Sequence, residues 1–109
     1  MKKIGIIFIF LLFISCQNFG QLTFIADLPK DLEEVSGVES ARNSSLIWMI
    51  NDGGNQPKLF GVSKKGNIKR EVYIKTKNRD WEDLTSDEKG NIYIGDFGNN
   101  LSKRKNLRI

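Results

Sequence analysis

The sequence predicts an all-β fold built from four-stranded antiparallel repeats. Three observations carry that expectation. From Leu22 onward no stretch shows the three-and-four spacing of an amphipathic helix. The apolar residues fall instead into short runs of strand-forming types, each closed by a cluster rich in Gly, Asn and Asp. One such unit also recurs: Ile47-Trp48-Met49-Ile50-Asn51-Asp52-Gly53-Gly54-Asn55 aligns without gaps on Ile92-Tyr93-Ile94-Gly95-Asp96-Phe97-Gly98-Asn99-Asn100, an offset of 45 residues.

Residues 1–20 read as a secretion signal. Met1-Lys2-Lys3 leads into an apolar run of eleven residues, Ile4 to Ile14. A transmembrane helix needs about 20 apolar residues, whereas the apolar region of a signal peptide has about 7–15. Two processing sites follow. Phe13-Ile14-Ser15-Cys16 resembles a lipobox, which would make Cys16 the lipidated first residue and the chain's link to a membrane. Cleavage after Gly20 would instead leave Gln21 first. The expected location is therefore outside the cytoplasm, either lipid-anchored in the cell envelope or secreted. Loss of Lys2 and Lys3 halves the formal net charge of +4, so the pI near 9.3 is partly a targeting effect.

The strands follow in order. Leu22, Phe24, Ala26 and Leu28 alternate with Thr23, Ile25 and Asp27, the period of a half-buried strand. Glu34-Val35-Ser36-Gly37 and Glu82-Asp83-Leu84-Thr85 read as two acidic-led strands, offset by 48 residues. Leu46 to Ile50 is a β-rich run closed by Asn51 to Asn55. Leu59 to Ser63 and Ile68 to Lys75 form one expected hairpin, Trp81 to Ser86 and Ile92 to Phe97 another. Their turns share an identical tetrapeptide, Lys65-Gly66-Asn67-Ile68 and Lys89-Gly90-Asn91-Ile92. A period of roughly 40–50 residues with four short strands is that of a β-propeller blade. Residues 21–109 hold about two blades, where closure needs roughly four to eight. The chain thus reads as the N-terminal piece of a longer propeller, truncated as Leu107-Arg108-Ile109 begins another strand.

Composition narrows the chemistry. With no His among 109 residues, neither a Ser-His-Asp triad nor an imidazole metal ligand exists. A single Cys forms no internal disulfide or thiolate cage. Any metal site must use oxygen ligands, which favours hard ions such as calcium or magnesium; calcium takes six to eight of them. The candidate binding residues are Glu34, Asp52, Asp80, Glu82, Asp83 and Asp96, which gather at strand starts and in the loops after strands. Glu34 and Glu82 hold matching places under the 48-residue offset and are the expected metal ligands. The same acidic and amide residues also serve as turn formers. No string matches an EF-hand loop or a phosphate-cradling glycine loop. Eight basic residues between Lys58 and Arg79 face only Glu71 in sequence. Few aromatics interleave with them, so the run reads as a solvated strand edge and not as a nucleic-acid surface.

Four strings together resemble a known family: Glu34-Val35-Ser36-Gly37-Val38, Trp48 with Asn51-Asp52-Gly53-Gly54-Asn55, Asp80-Trp81-Glu82-Asp83-Leu84, and Tyr93-Ile94-Gly95-Asp96-Phe97-Gly98-Asn99-Asn100. They are similar to the opening of exported bacterial six-bladed propellers, the SdiA-regulated and NHL-like group, and more distantly to phytase-like and lactonase-like propellers. The resemblance covers residues 22–109. It implies a propeller that binds a ligand or an envelope protein without its own catalysis. The alternative it implies is a calcium-dependent hydrolase of the phytase-like or lactonase-like type, in which Glu34 corresponds to an early-blade calcium ligand.

Overall fold

A computed structural model describes residues 20–109; the expected signal run and Cys16 lie outside them. The described chain is all-β. Six strands follow a short 3₁₀ turn at Lys30–Leu32: β1 (Val35–Glu39), β2 (Ile47–Asn51), β3 (Lys58–Val62), β4 (Ile68–Tyr73), β5 (Trp81–Ser86) and β6 (Ile92–Asp96). The first four make an antiparallel meander in the order β1-β2-β3-β4, and β5 pairs with β6 in a second sheet.

Both expected hairpins form, and their turns are alike. Ser63 N–H donates to Asn67 O at 2.8 Å, and Asp87 N–H donates to Asn91 O at 3.0 Å. Gly66 and Gly90 sit at φ of 81° and 85°, a left-handed backbone that glycine adopts without penalty. The shared tetrapeptide is therefore one turn used twice. The segment Leu22–Leu28 corrects the sequence reading, because it forms no strand. Its period-two alternation has no neighbouring strand to pair with among the described residues, and Leu22 is 98% exposed.

Two apolar clusters explain why β2 and β3 read as continuous runs. Met49 and Phe60 point to one face of the first sheet, joining Leu32 and Val62. Ile50 and Leu59, one residue along each strand, point to the other face and join Trp81 and Leu84 of β5. These two central strands are buried on both faces, so alternation disappears. β4 carries Lys69, Arg70 and Glu71 on an exposed outer edge, as the basic run suggested.

The second sheet lies on the first through a seam between β5 and β1. A Cβ added to Gly37 would stand 2.6 Å from Leu84 Cδ2 and 3.0 Å from the Leu84 nitrogen. Only a residue without a side chain permits backbones to approach this closely. A bulge in β5 between Trp81 and Asp83 completes the fit. Trp81 and Leu84 are three residues apart and would face opposite ways on a regular strand. The extra residue, Glu82, restores them to one face.

Two substitutions test the seam. Gly37→Ala overpacks a rigid contact and is expected to cost about 1–3 kcal/mol. Trp81→Ala empties the space of a side chain only 1% exposed and is expected to cost about 3–5 kcal/mol. Denaturant unfolding followed by far-ultraviolet circular dichroism measures both.

Candidate functional site

The seam brings the end of β2 beside the start of β5. Asn78, buried just before β5, makes the join. Its Nδ2 donates to the carbonyls of Asn51 at 2.9 Å and Asp52 at 2.8 Å, and its Oδ1 accepts from Trp81 N–H at 3.1 Å. Asp52, in the loop after β2, is thereby held against Asp80 and the bulge residue Glu82. Carboxylate oxygens of Asp52, Asp80 and Glu82 lie within 4.8 Å of one another.

Two glycines make room for this convergence. A Cβ on Gly98, in the loop after β6, would overlap the Asp80 carboxylate and stand 2.5 Å from Glu82 Oε1. A Cβ on Gly53 would stand 2.7 Å from Arg79 O and 2.9 Å from Asp80 Oδ1. The cluster is a cradle of backbone closed around three acids. Gly98 N–H donates to Asp80 O at 3.0 Å, which fixes the cradle's far wall.

Asp96 supports the site from behind. It is buried and pairs with Arg104 at 2.9 Å, and its Oδ1 accepts from Asp80 N–H at 3.1 Å. Arg104 also donates to Gly98 O at 2.9 Å and Asp96 O at 3.2 Å. Its guanidinium therefore ties the loop after β6 into a closed network.

Crowding shows in the acid strengths. Partial desolvation raises the Asp80 pKa above its ordinary 3.8, helped by a hydrogen bond to Asp52 and the charges of Asp52 and Asp96, against the opposing pull of Arg104. Partial desolvation also raises Glu82 above its ordinary 4.5, with repulsion from Asp52 and Asp80 added.

The six expected binding residues divide. Asp52, Asp80 and Glu82 converge, and Asp96 stands behind them as an ion-paired support. Asp83 is exposed on the far side of the bulge, its Oδ1 accepting from Leu84 N–H at 2.8 Å. Glu34 is exposed and accepts from Asn55 Nδ2 at 2.5 Å, outside the cluster.

The expected pairing of Glu34 with Glu82 is corrected by strand register. Val35, Gly37, Val38 and Glu39 pair with Asn51, Ile50, Met49 and Trp48. Trp81, Asp83, Leu84 and Thr85 pair with Asp96, Gly95, Ile94 and Tyr93. Those ladders relate β2 to β6 by 45 residues and β1 to β5 by 46, with a bulge at Ser36 in one and Glu82 in the other. Glu34 therefore corresponds to Asp80, and Glu82 to Ser36. Sequence reasoning also missed Asn78, Gly53, Gly98 and Arg104 as builders of the site. The recurrence of Gly53 at Gly98 in the two repeats was the available signal.

Comparison with protein-family models, curated proteins and solved structures finds no match to this chain.

A proton test follows from the raised acids. The folded chain retains protons that the unfolded chain releases at its ordinary values, so the associated stability is present at low pH. It is lost as pH climbs from those values through the raised ones. Asp80→Asn, which removes one crowded charge, is expected to melt above the unsubstituted chain at pH 7 in chelator. The gap should narrow at pH 4, as thermal melts at the two pH values will show.

Proposed function

We propose that the chain forms the opening blades of an exported β-propeller, and that the cradle of Asp52, Asp80 and Glu82 is its ligand-binding point. Under this reading it has no catalysis of its own. A four-stranded meander followed by a second sheet that starts against its first strand supports the blade reading. So does the matched register of β1–β2 and β5–β6. The basic, apolar start of the sequence supports export.

The observation that carries the binding reading is the convergence of three carboxylates between Gly53 and Gly98. Acids held this close repel one another unless a cation or a proton lies among them. Their oxygen donors fit calcium, and the half-buried Asp80 and Glu82 beside an exposed Asp52 leave one side open for a ligand. Those three residues would hold the ion; Glu34 would not.

The second reading is a calcium-dependent hydrolase. It draws on the exposed Asp52 side, where a bound calcium would keep open positions for water and substrate. When bound, the ion would polarise a phosphoryl or carbonyl oxygen. The chain's own part is to position the ion through Asp80 and Glu82, with Asp96 and Arg104 holding the loop behind them.

Calcium titration tests the binding reading. The melting temperature is expected to rise with millimolar calcium, to fall back on chelation, and to stay flat in Asp80→Asn and Glu82→Gln. A ligand at a hundred times its dissociation constant adds about 2.7 kcal/mol, a shift that calorimetry resolves easily. A melting temperature indifferent to calcium would remove both readings of the cluster. Calcium-dependent cleavage of an aryl phosphate or a lactone would favour the hydrolase.

A further inference from the structure

At the opposite end of the sheets, a cavity of about 430 Å³ opens between the β1–β2 loop and the β5–β6 turn. Arg42, Arg70 and Lys89 line it with Asn43, Ser45 and Trp48, and no carboxylate does. The ion pairs among the described residues are Lys58 with Glu71 and Arg104 with Asp96, so none of these three cations is held in one. Three exposed cationic residues from three separate elements thus line one concave space.

The walls are fixed. Asn43 holds the loop in a left-handed turn at φ 62°. The Ser44 hydroxyl donates to Leu46 O at 3.2 Å and accepts from Leu46 N–H and from Trp48 Nε1–H, each at 3.1 Å. Gly90 packs so closely on Arg42 O that an added Cβ would stand 3.0 Å away. The loop bearing Arg42 is thus bound to Trp48 and pressed on the turn bearing Lys89, which fixes the backbone that carries these two residues while their charged ends stay exposed.

We propose that this cavity binds a phosphate ester. Its volume falls in the usual range for small-ligand sites, about 300–1,000 Å³. A phosphomonoester brings close to two negative charges and three acceptor oxygens at neutral pH. Two guanidinium groups and one ammonium supply the opposite charge and the donors that such oxygens accept from. The Trp48 ring beside them gives the attached carbon skeleton an apolar wall. This inference stands on the cavity alone and does not rest on the propeller or calcium readings.

The phosphate could belong to a soluble ester or to a lipid headgroup, and the test separates them. The full chain is titrated with glycerol phosphate, and in parallel with vesicles containing phosphatidic acid, a lipid phosphomonoester, at constant ionic strength. Trp48 fluorescence is the reporter, since Trp81 is buried away from the cavity. Saturable binding is expected. Arg42→Gln, Arg70→Gln and Lys89→Gln should each weaken it at least about tenfold, the effect of one lost charge-assisted hydrogen bond. Glu88→Gln, on the same turn but outside the cavity, should leave it unchanged, and circular dichroism should show all four variants folded. Saturation by glycerol phosphate identifies a soluble ester; saturation by vesicles alone, lost in the same three variants, identifies a headgroup. No saturation with either probe, or affinities in the three variants equal to that of Glu88→Gln, overturns the proposal.

Discussion

The whole arrangement depends on the close approach of β5 to β1. Gly37 lets the two backbones touch, and Trp81 and Leu84 fill the space beyond against Ile50 and Leu59. Without that seam the first sheet would expose one apolar face and the second sheet would have nothing to lie on. A pair of strands alone is marginal in water, so β5 and β6 owe their order to this contact. Asn78 then locks the seam by donating to the Asn51 and Asp52 carbonyls at the β2 end, the first of these bonds buried.

The seam also accounts for the carboxylate cradle. The bulge that turns Trp81 and Leu84 to the same face leaves Glu82 as the surplus residue, with its side chain at the rim beside Asp80. Packing and charge crowding therefore share one cause. The acids are not incidental neighbours, because the bulge and the Asn78 bridge set the backbone positions from which all three converge. Ion pairing is reserved for Asp96, the one fully buried acid near the site, while the rim acids are left to meet solvent or a ligand.

Much of the fold was legible in the residues. Turn chemistry located both hairpins, because Gly66 and Gly90 are needed at positive φ and leave a plain mark. The gapless Ile47–Asn55 repeat located β2 and β6, because regular strands preserve spacing. The relation of β1 to β5 was misread because matching Glu to Glu overrode strand register. A bulge adds a residue without altering composition, so only the ladder reveals it. Leu22–Leu28 misled for the opposite reason: alternation describes a surface suited to pairing, and pairing needs a partner. The cationic cavity lay beyond sequence reach, since Arg42, Arg70 and Lys89 belong to three elements that only the packed sheets bring together.

The two sites differ in sign and do not cancel. The carboxylates sit at the end of β2 and the start of β5, while Arg42 and Lys89 lie in the loops at the other ends of β1 and β5. β5 has six residues, so about 17 Å separates its ends. The Debye length at physiological ionic strength is about 8 Å. Each end therefore presents its own field to solvent, and each can attract a ligand of opposite charge while the other is occupied. A cation at Asp80 would stiffen the seam from one end, and an anion at Lys89 would hold the β5–β6 turn from the other. Both act on the same strand. The two sites are thus linked in the fold by one strand, β5, and not by direct charge.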